Sequence, residues 1–428
     1  MRAVLLLLLA ECAAASSISD TCLWPPLPPL RLTCGVDEIQ EQRNLPNTRF
    51  SQQKPDVPAP PLSKWESTGQ CAGPYCIFTN RGFSGGRGIV TITTSANIKK
   101  LKKLLDPPKD QREPPDTPQP FYLAHIKGKG LGLLANTTLH RGAPLMKISP
   151  AVVIHRNFLE QIPAHTQAPL LEAAISLLPD PLRQSFLSQM SHDQHQHHHP
   201  GSPSSPAHKI SAILATNSFQ LDLGGGSGAR GLEGHHYANF PEASRFNHDC
   251  RPNVAFYVDP ATLAHTTTVV RDVRPGEELS ISYLDPLEAR EGRQERARQV
   301  WGFECGCSQC AMAGAQAGRS DARLREIAEI EGRLGNWLSR GVNAKLLERL
   351  VRLYREERLD AKVAGAYTLV ALNYNMLGDA KRAVRYAKLA EEAVVIENGG
   401  GAGDADAMRV LAGKPKEHFT WRKRLQRY

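Results

Sequence analysis

The sequence predicts an α+β protein: short β-strands interrupted by a helical insert, followed by an all-α C-terminal domain. Three observations lead there. Phe121 to Ile126, Pro144 to Ile148 and Val152 to Ile154 are short strand-like runs. Between Phe158 and Met190, residues Leu170, Leu171, Ala174, Ile175, Leu177 and Leu178 fall at helical spacing, and the intervening prolines divide the segment into two or three short helices. From Asp321 onward, Leu324, Ile327, Ile330, Leu334 and Leu338 recur at three and four, as do Leu346, Leu350, Leu353 and Tyr354, so each segment has one apolar face.

Taken in order, the chain opens with Arg2, an apolar run from Ala3 to Ala10 and the small residues Ala13 to Ala15, the pattern of a secretory signal peptide over 1–15; a buried apolar N-terminus is the alternative. The run is far shorter than the roughly 20 apolar residues a spanning helix needs, and no other stretch approaches that length, so a soluble mature protein without a membrane span is expected. Residues 16–70 carry Pro25-Pro26, Pro28-Pro29 and Pro58 to Pro61 without a sustained apolar period and read as a Pro-rich linker. A small β-hairpin region is expected over 71–106, its arms Cys76 to Thr79 and Ile89 to Thr93 joined by a glycine-rich turn. That turn lacks the Gly-Lys-Ser/Thr ending of a phosphate loop.

Beyond the proline-rich break at Pro107 to Pro120 lie the strands already described, then an insert over 155–234. Within it, His192 to His199 and the serines and prolines that follow form a low-complexity, His-rich loop at 191–208, expected to be disordered. Gly224 to Gly234 is a second flexible run. In the helical C-terminal domain, 321–398, Ala364 to Tyr367, Gly378-Asp379, Ala383, Tyr386, Ala387 and Ala390 place small residues where the two helices of a tetratricopeptide-like pair approach closely. Gly399 to Gly403 reads as a flexible break before a basic tail, so 399–428 stands apart.

The 428 residues suffice for two or three domains, and 41% hydrophobic with 22% charged residues belongs to an ordinary globular chain. The formal charge of +9 favours acidic partners, but the basic runs carry no interleaved aromatics, so no direct nucleic-acid contact is expected. Of the nine cysteines, Cys12 falls within the expected leader and the other eight divide by position. Cys22, Cys34, Cys71 and Cys76 form an even set suited to disulfides in an oxidising compartment, with the pairing left open. Cys250, Cys305, Cys307 and Cys310 are spaced for metal: C-x-C-x2-C supplies three thiols, and Cys250 is the one cysteine left in this half to complete the four ligands of a closed zinc site.

Four segments converge on chemistry. Gly128 to Ala135 contains Gly130-Leu131-Gly132, glycines that let a backbone lie close against a ligand. Ser244 to Asn253 packs Asn247, His248 and Cys250 into a dense polar run. Gly276-Glu277-Glu278-Leu279 leads through a strand to Tyr283, and Trp301 to Cys310 brings Phe303 and the three clustered thiols. In this order the motifs resemble the SET-domain lysine methyltransferases with a post-SET zinc site, over about residues 119–311. The long insert and helical C-terminus look like the SMYD branch, although no MYND finger is present; with its leader and hairpin the chain is more similar to signal-bearing SET proteins of filamentous fungi.

The resemblance implies a SET fold over 119–284, a post-SET zinc segment over 285–311, and a protein-lysine N-methyltransferase that uses S-adenosylmethionine. It implies that Gly130, Leu131, Gly132, Asn217, Asn247, His248 and Phe303 bind the cofactor, that Tyr283 is the catalytic tyrosine, and that Cys250, Cys305, Cys307 and Cys310 hold a structural Zn2+. Asp249 departs from the family's serine. The partner implied is a lysine-bearing protein, histone or otherwise. The alternatives are an inactive SET-fold scaffold and a secreted disulfide-containing binding protein. The glycosylation acceptor Asn136-Thr137-Thr138 bears on compartment: the secretory pathway or extracellular space if the leader is used, the cytoplasm or nucleus otherwise.

Overall fold

The computed structural model describes residues 64–105, 119–192, 205–223 and 234–425; the expected signal segment, most of the Pro-rich linker, residues 193–204 of the His-rich loop and most of the glycine-rich run at 224–234 lie outside the described residues. Three sheets carry the first two-thirds of the fold.

The six-stranded sheet has the order β1 (Glu66–Ala72), β2 (Tyr75–Asn80), β3 (Ile89–Thr94), β7 (Val152–His155), β9 (His235–Asn239), β8 (Ser218–Asp222). Strand alternation sorts its side chains onto two faces. Ile77, Val90, Ile92, Val152 and Ile154 pack on the insert helices α3 (Ala164–Ser176), α4 (Asp180–Leu187) and α5 (Pro206–Asn217), against Leu171, Phe186 and Ile213. Phe78, Ile89, Val153 and Ala238 face the other way, toward Ile98 and Leu101 of α1 (Ser95–Leu104). A further short helix, α2 (Arg156–Gln161), follows β7 directly.

Two boundaries differ from the sequence expectation. The expected linker ends earlier than residue 70, because the exposed, polar Glu66 to Gln70 form the edge of β1, held by pairing with β2 and by the Cys71–Cys76 disulfide across the hairpin. The insert also is not all helical, since Ser218–Asp222 returns as a strand paired with β9.

The four-stranded sheet runs β10 (Asn247–His248), β13 (Glu278–Ile281), β5 (Gly130–Ala135), β4 (Phe121–Ile126), with β10 parallel to β13. The three-stranded sheet runs β11 (Val254–Asp259), β12 (Ala264–Val269), β6 (Pro144–Ile148). Both close on one core of Leu133, Leu145, Phe246, Val269, Leu279 and Ile281.

Helix α6 (Arg290–Trp301) leads into the cysteine segment, and α7 (Gly314–Gly335), α8 (Ala344–Glu356), α9 (Val363–Met376), α10 (Ala380–Asn398) and α11 (Gly403–Gly413) form the C-terminal layer. Fully buried Ala366, Ala383, Ala387 and Ala390 let the antiparallel pair α9 and α10 close tightly. Of the segment 399–428, expected as a flexible break and basic tail, the described residues 399–425 instead fold back. Ala405, Met408 and Leu411 of α11 enter the helical core, and buried Arg424 donates to the carbonyls of Leu334, Asn336, Trp337 and Ser339 and to Asn373 Oδ1. One guanidinium thus gathers carbonyls at and just beyond the C-terminal end of α7.

His265 of β12 is fully buried among Phe219, Phe240 and Phe256, stacked on Phe256 at a centroid distance of 5.2 Å, and neither ring nitrogen has a partner among the described residues. Burial pushes its pKa down to about 3, so the folded protein holds it neutral. Because the unfolded chain protonates it near 6.5, its share of stability is complete above that pH and is lost as pH falls toward 3. His265→Phe removes that loss: relative to the parent protein, unfolding free energies from urea titrations should gain about 2 kcal/mol at pH 5, and little of that gain should remain at pH 8.

Candidate active site

Strand β10 and its surroundings assemble the site. The Asn247 amide donates to the Leu131 carbonyl at 3.3 Å and to Glu278 Oε1 at 2.9 Å, which fixes the polar end of β10 against β5 and β13. Gly132 is required there: a Cβ at this position would lie 2.5 Å from Asn247 Nδ2 and 2.8 Å from Ile126 Cγ1. Gly130 has φ +77°, a conformation favouring glycine. Glu278 also pairs with Lys129 at 2.7 Å, so a cation stands beside the glycine strand.

His248 is buried, and burial pushes its pKa down to about 4. Its Nδ1 accepts the Tyr283 amide N–H at 3.0 Å, and its Nε2 lies 3.3 Å from Cys250 Sγ. Tyr283 follows β13; its hydroxyl donates to the Phe246 carbonyl at 2.6 Å, and burial raises its pKa above the ordinary value. Around Tyr283 stand His248 at 5.3 Å, Trp301 at 5.4 Å and Phe303 at 6.5 Å between ring centroids. The reversal that delivers Phe303 is made by Gly302, in the left-handed region at φ +70° at the end of α6.

Cys250, Cys305, Cys307 and Cys310 are all buried, and their sulfur atoms lie within 4.8 Å of one another. Cys250 Sγ is 3.9 Å from Cys305 Sγ and 3.5 Å from Cys310 Sγ, close to the ~3.8 Å edge of a tetrahedron with zinc–sulfur bonds of about 2.3 Å. Donor type, number and spacing therefore fit a closed zinc site. Helix α6 grips the cysteine loop through three residues of one face: Arg290 donates to the Cys310 carbonyl, the Arg293 guanidinium reaches Cys310 Sγ at 3.9 Å, and the Gln294 side chain both donates to and accepts from the Cys305 backbone.

A cleft of about 340 Å3 opens at Tyr283 between the strands and the C-terminal helices. Phe219, Phe256, Tyr257 and Trp301 line one side; Lys362 and Glu397 contribute from the helices.

The sequence-selected residues thus gather in one neighbourhood, with one looser member. Asn217 lines the cleft, but its amide donates to the Met190 and Ile213 carbonyls, and Met190, whose Cε lies 3.8 Å from where a Gly130 Cβ would stand, connects it to the glycine strand. Residues the sequence did not single out also serve the site. Trp301 anchors its indole N–H on the Thr216 carbonyl, and its place beside Gly302 and the cysteine run was the available signal. Arg293 and Gln294 are long-range partners that no local pattern marks.

Comparison with known proteins agrees with this architecture. Residues 130–284 match the SET domain family. Residues 130–284 therefore carry a SET domain, set within an α+β fold. It is similar to the histone-lysine N-methyltransferase set5 of Schizosaccharomyces pombe, at 30% identity over 161 residues, which is 36% of this chain and 50% of that protein. It also resembles the N-lysine methyltransferase SMYD2 of Gallus gallus, at 40% identity over 75 residues, 18% of this chain and 17% of that one. The chain thus spans at most about half the length of these relatives. A solved structure of the SET domain of LSMT bound to lysine and AdoHcy aligns over 78% of this chain and 95% of its own at 12% identity and a TM-score of 0.28, a likeness too weak to build on.

Because metal binding and folding of such a loop are coupled, Cys305→Ser should lose the metal and release the Phe303 segment. Elemental analysis should find zinc in the parent protein and almost none in the variant, and limited proteolysis should cut the variant first within 302–312. Full zinc in the variant would remove Cys305 from the ligand set.

Proposed function

We propose that this chain is an S-adenosylmethionine-dependent protein-lysine N-methyltransferase braced by a structural zinc ion. The observation that carries the reading is the position of Tyr283, which packs beside His248 and Phe303 and also lines the aromatic cleft. The named relatives support it in kind.

Bound S-adenosylmethionine would supply an electrophilic methyl group on a positively charged sulfur. The residues that would hold it are the Gly130–Gly132 backbone, Asn247 and the Phe303 ring, with the backbone of His248; Lys129 offers a cation to its carboxylate. The rest of the work falls to the cleft. A substrate lysine attacks only as the neutral amine, although its unperturbed pKa is about 10.4. Walls of Phe219, Phe256 and Trp301 disfavour the ammonium form by desolvation. Tyr283 remains protonated and so acts as a hydrogen-bonding group, not a base; with the Phe246 carbonyl it forms a fixed polar pair in the cleft that can orient the amine. The substrate is a lysine-bearing protein segment; no sequence preference is assigned.

Tyr283→Phe should lower methyl transfer by about 100-fold or more while cofactor affinity changes by no more than about 3-fold, because the hydroxyl serves alignment and not cofactor binding. Calorimetry with S-adenosylmethionine, followed by single-turnover transfer to lysine-containing peptides, checks both halves. Unchanged transfer in the variant would reject the role of Tyr283; absence of cofactor binding by folded, zinc-loaded protein would favour a scaffold.

We also propose that the chain passes through the secretory pathway. The leader-like start and the Cys71–Cys76 disulfide support this, and Asn136, the glycosylation acceptor, is exposed. Protein isolated from its native cells should lose mass at Asn136 on treatment with an amidase that removes N-linked sugars. An unmodified Asn136 together with reduced Cys71 and Cys76 would return the protein to the cytoplasm or nucleus.

A further inference from the structure

We infer that the His248 side chain is a positioning group that ties the zinc thiolates to Tyr283, and not a side chain that binds the cofactor. The inference rests on the reading of the site as a zinc-braced methyltransferase.

The argument is one of donors and acceptors. A backbone N–H can only donate, so the Tyr283 amide, 3.0 Å from Nδ1, requires a lone pair on that nitrogen. A neutral imidazole with a bare Nδ1 carries its proton on Nε2. That nitrogen lies 3.3 Å from Cys250 Sγ, a thiolate once metal is bound, which can accept the hydrogen bond. Both nitrogens of the buried ring are then engaged, and none is left for a ligand.

The backbone reinforces the link. His248 pairs with Ile281 in the parallel β10–β13 ladder, and the next amide, Asp249 N–H, donates to the Ile281 carbonyl, two residues before Tyr283. The ring itself spaces the two aromatic neighbours, at 5.3 Å from Tyr283 and 5.9 Å from Phe303. One imidazole therefore donates to a metal ligand on one edge and receives the backbone of Tyr283 on the other, so disorder at Cys250 reaches the tyrosine through a single side chain.

Two measurements test this. Long-range 15N–1H correlation on zinc-loaded full-length protein carrying 15N-histidine should show His248 as the Nε2–H tautomer, and an Nδ1–H tautomer would overturn the inference. His248→Phe keeps the ring volume and removes both nitrogens. It should retain one zinc per chain and bind S-adenosylmethionine within about 3-fold of the parent protein, with kcat lowered about 10-fold or more and KM for a peptide substrate unchanged. Unchanged kcat, or a loss confined to cofactor affinity, would overturn it. If His248→Phe does not fold, the tautomer decides alone. A parent protein that binds zinc and shows the Nε2–H tautomer but transfers no methyl group would sink the proposed function and leave the structural link standing.

Discussion

Four buried thiols are the constraint on which the rest of the structure depends. A cluster that binds zinc as four thiolates keeps a net negative charge away from water, and such a charge persists only where donors and cations surround it. The chain meets that demand from three directions. His248 approaches Cys250, Arg293 of α6 approaches Cys310, and the peptide after Cys250 carries Arg251 into the interior. Each of these residues belongs to a different part of the site, so satisfying the cluster simultaneously fixes β10, the end of α6 and the approach to the C-terminal helices.

Arg251 extends the same logic outward. Its guanidinium donates to the carbonyls of Cys250 and Pro286 and to both the backbone and the carboxylate of Glu357, with both side chains of the ion pair essentially inaccessible. Glu357 in turn accepts from Ser320, Gln309 and Arg323, which draws α7 and the cysteine loop to the end of α8. A buried ion pair of this kind is weak evidence for net stability, but it fixes geometry, because losing either partner strands a charge. The far wall of the cleft is set by that geometry. Gly399, just beyond α10, packs so closely on Tyr257 that a Cβ there would come within 2.7 Å of the ring. The helical layer is thus held at the cleft mouth by a polar anchor at one end and a close ring contact at the other.

The fold class and the core of the site were legible because they rest on local patterns. Helical periods at Leu324 to Leu334 and Leu346 to Tyr354, small residues between α9 and α10, and the C-x-C-x2-C run each announce themselves over a short window. What the sequence hid depends on distant partners. Glu66 to Gln70 are polar on both faces and become a strand through their pairing with β2. Arg424 reads as part of a solvated basic tail until the ends of α7 and α9 provide five acceptors for it. His248 shows the same limit within the site: the motif marked the residue, but only the fold reveals that its ring faces a thiol and a backbone amide.

Asp249 shows how a departure from a family pattern can be reconciled with the same physics. The carboxylate accepts the Arg251 amide at 2.8 Å, two residues ahead, while its own amide donates to the Ile281 carbonyl. This is the local turn that Asp and Asn side chains form with backbone two residues on, and a serine hydroxyl forms the weaker version of it. Either residue bends the chain so that Cys250 points into the cluster and Arg251 into the helical layer. The difference lies in charge: burial holds the Asp249 pKa up, at about 6, beside a site that already concentrates negative charge. The turn imposes the requirement at this position, and aspartate meets it at an electrostatic cost that serine avoids.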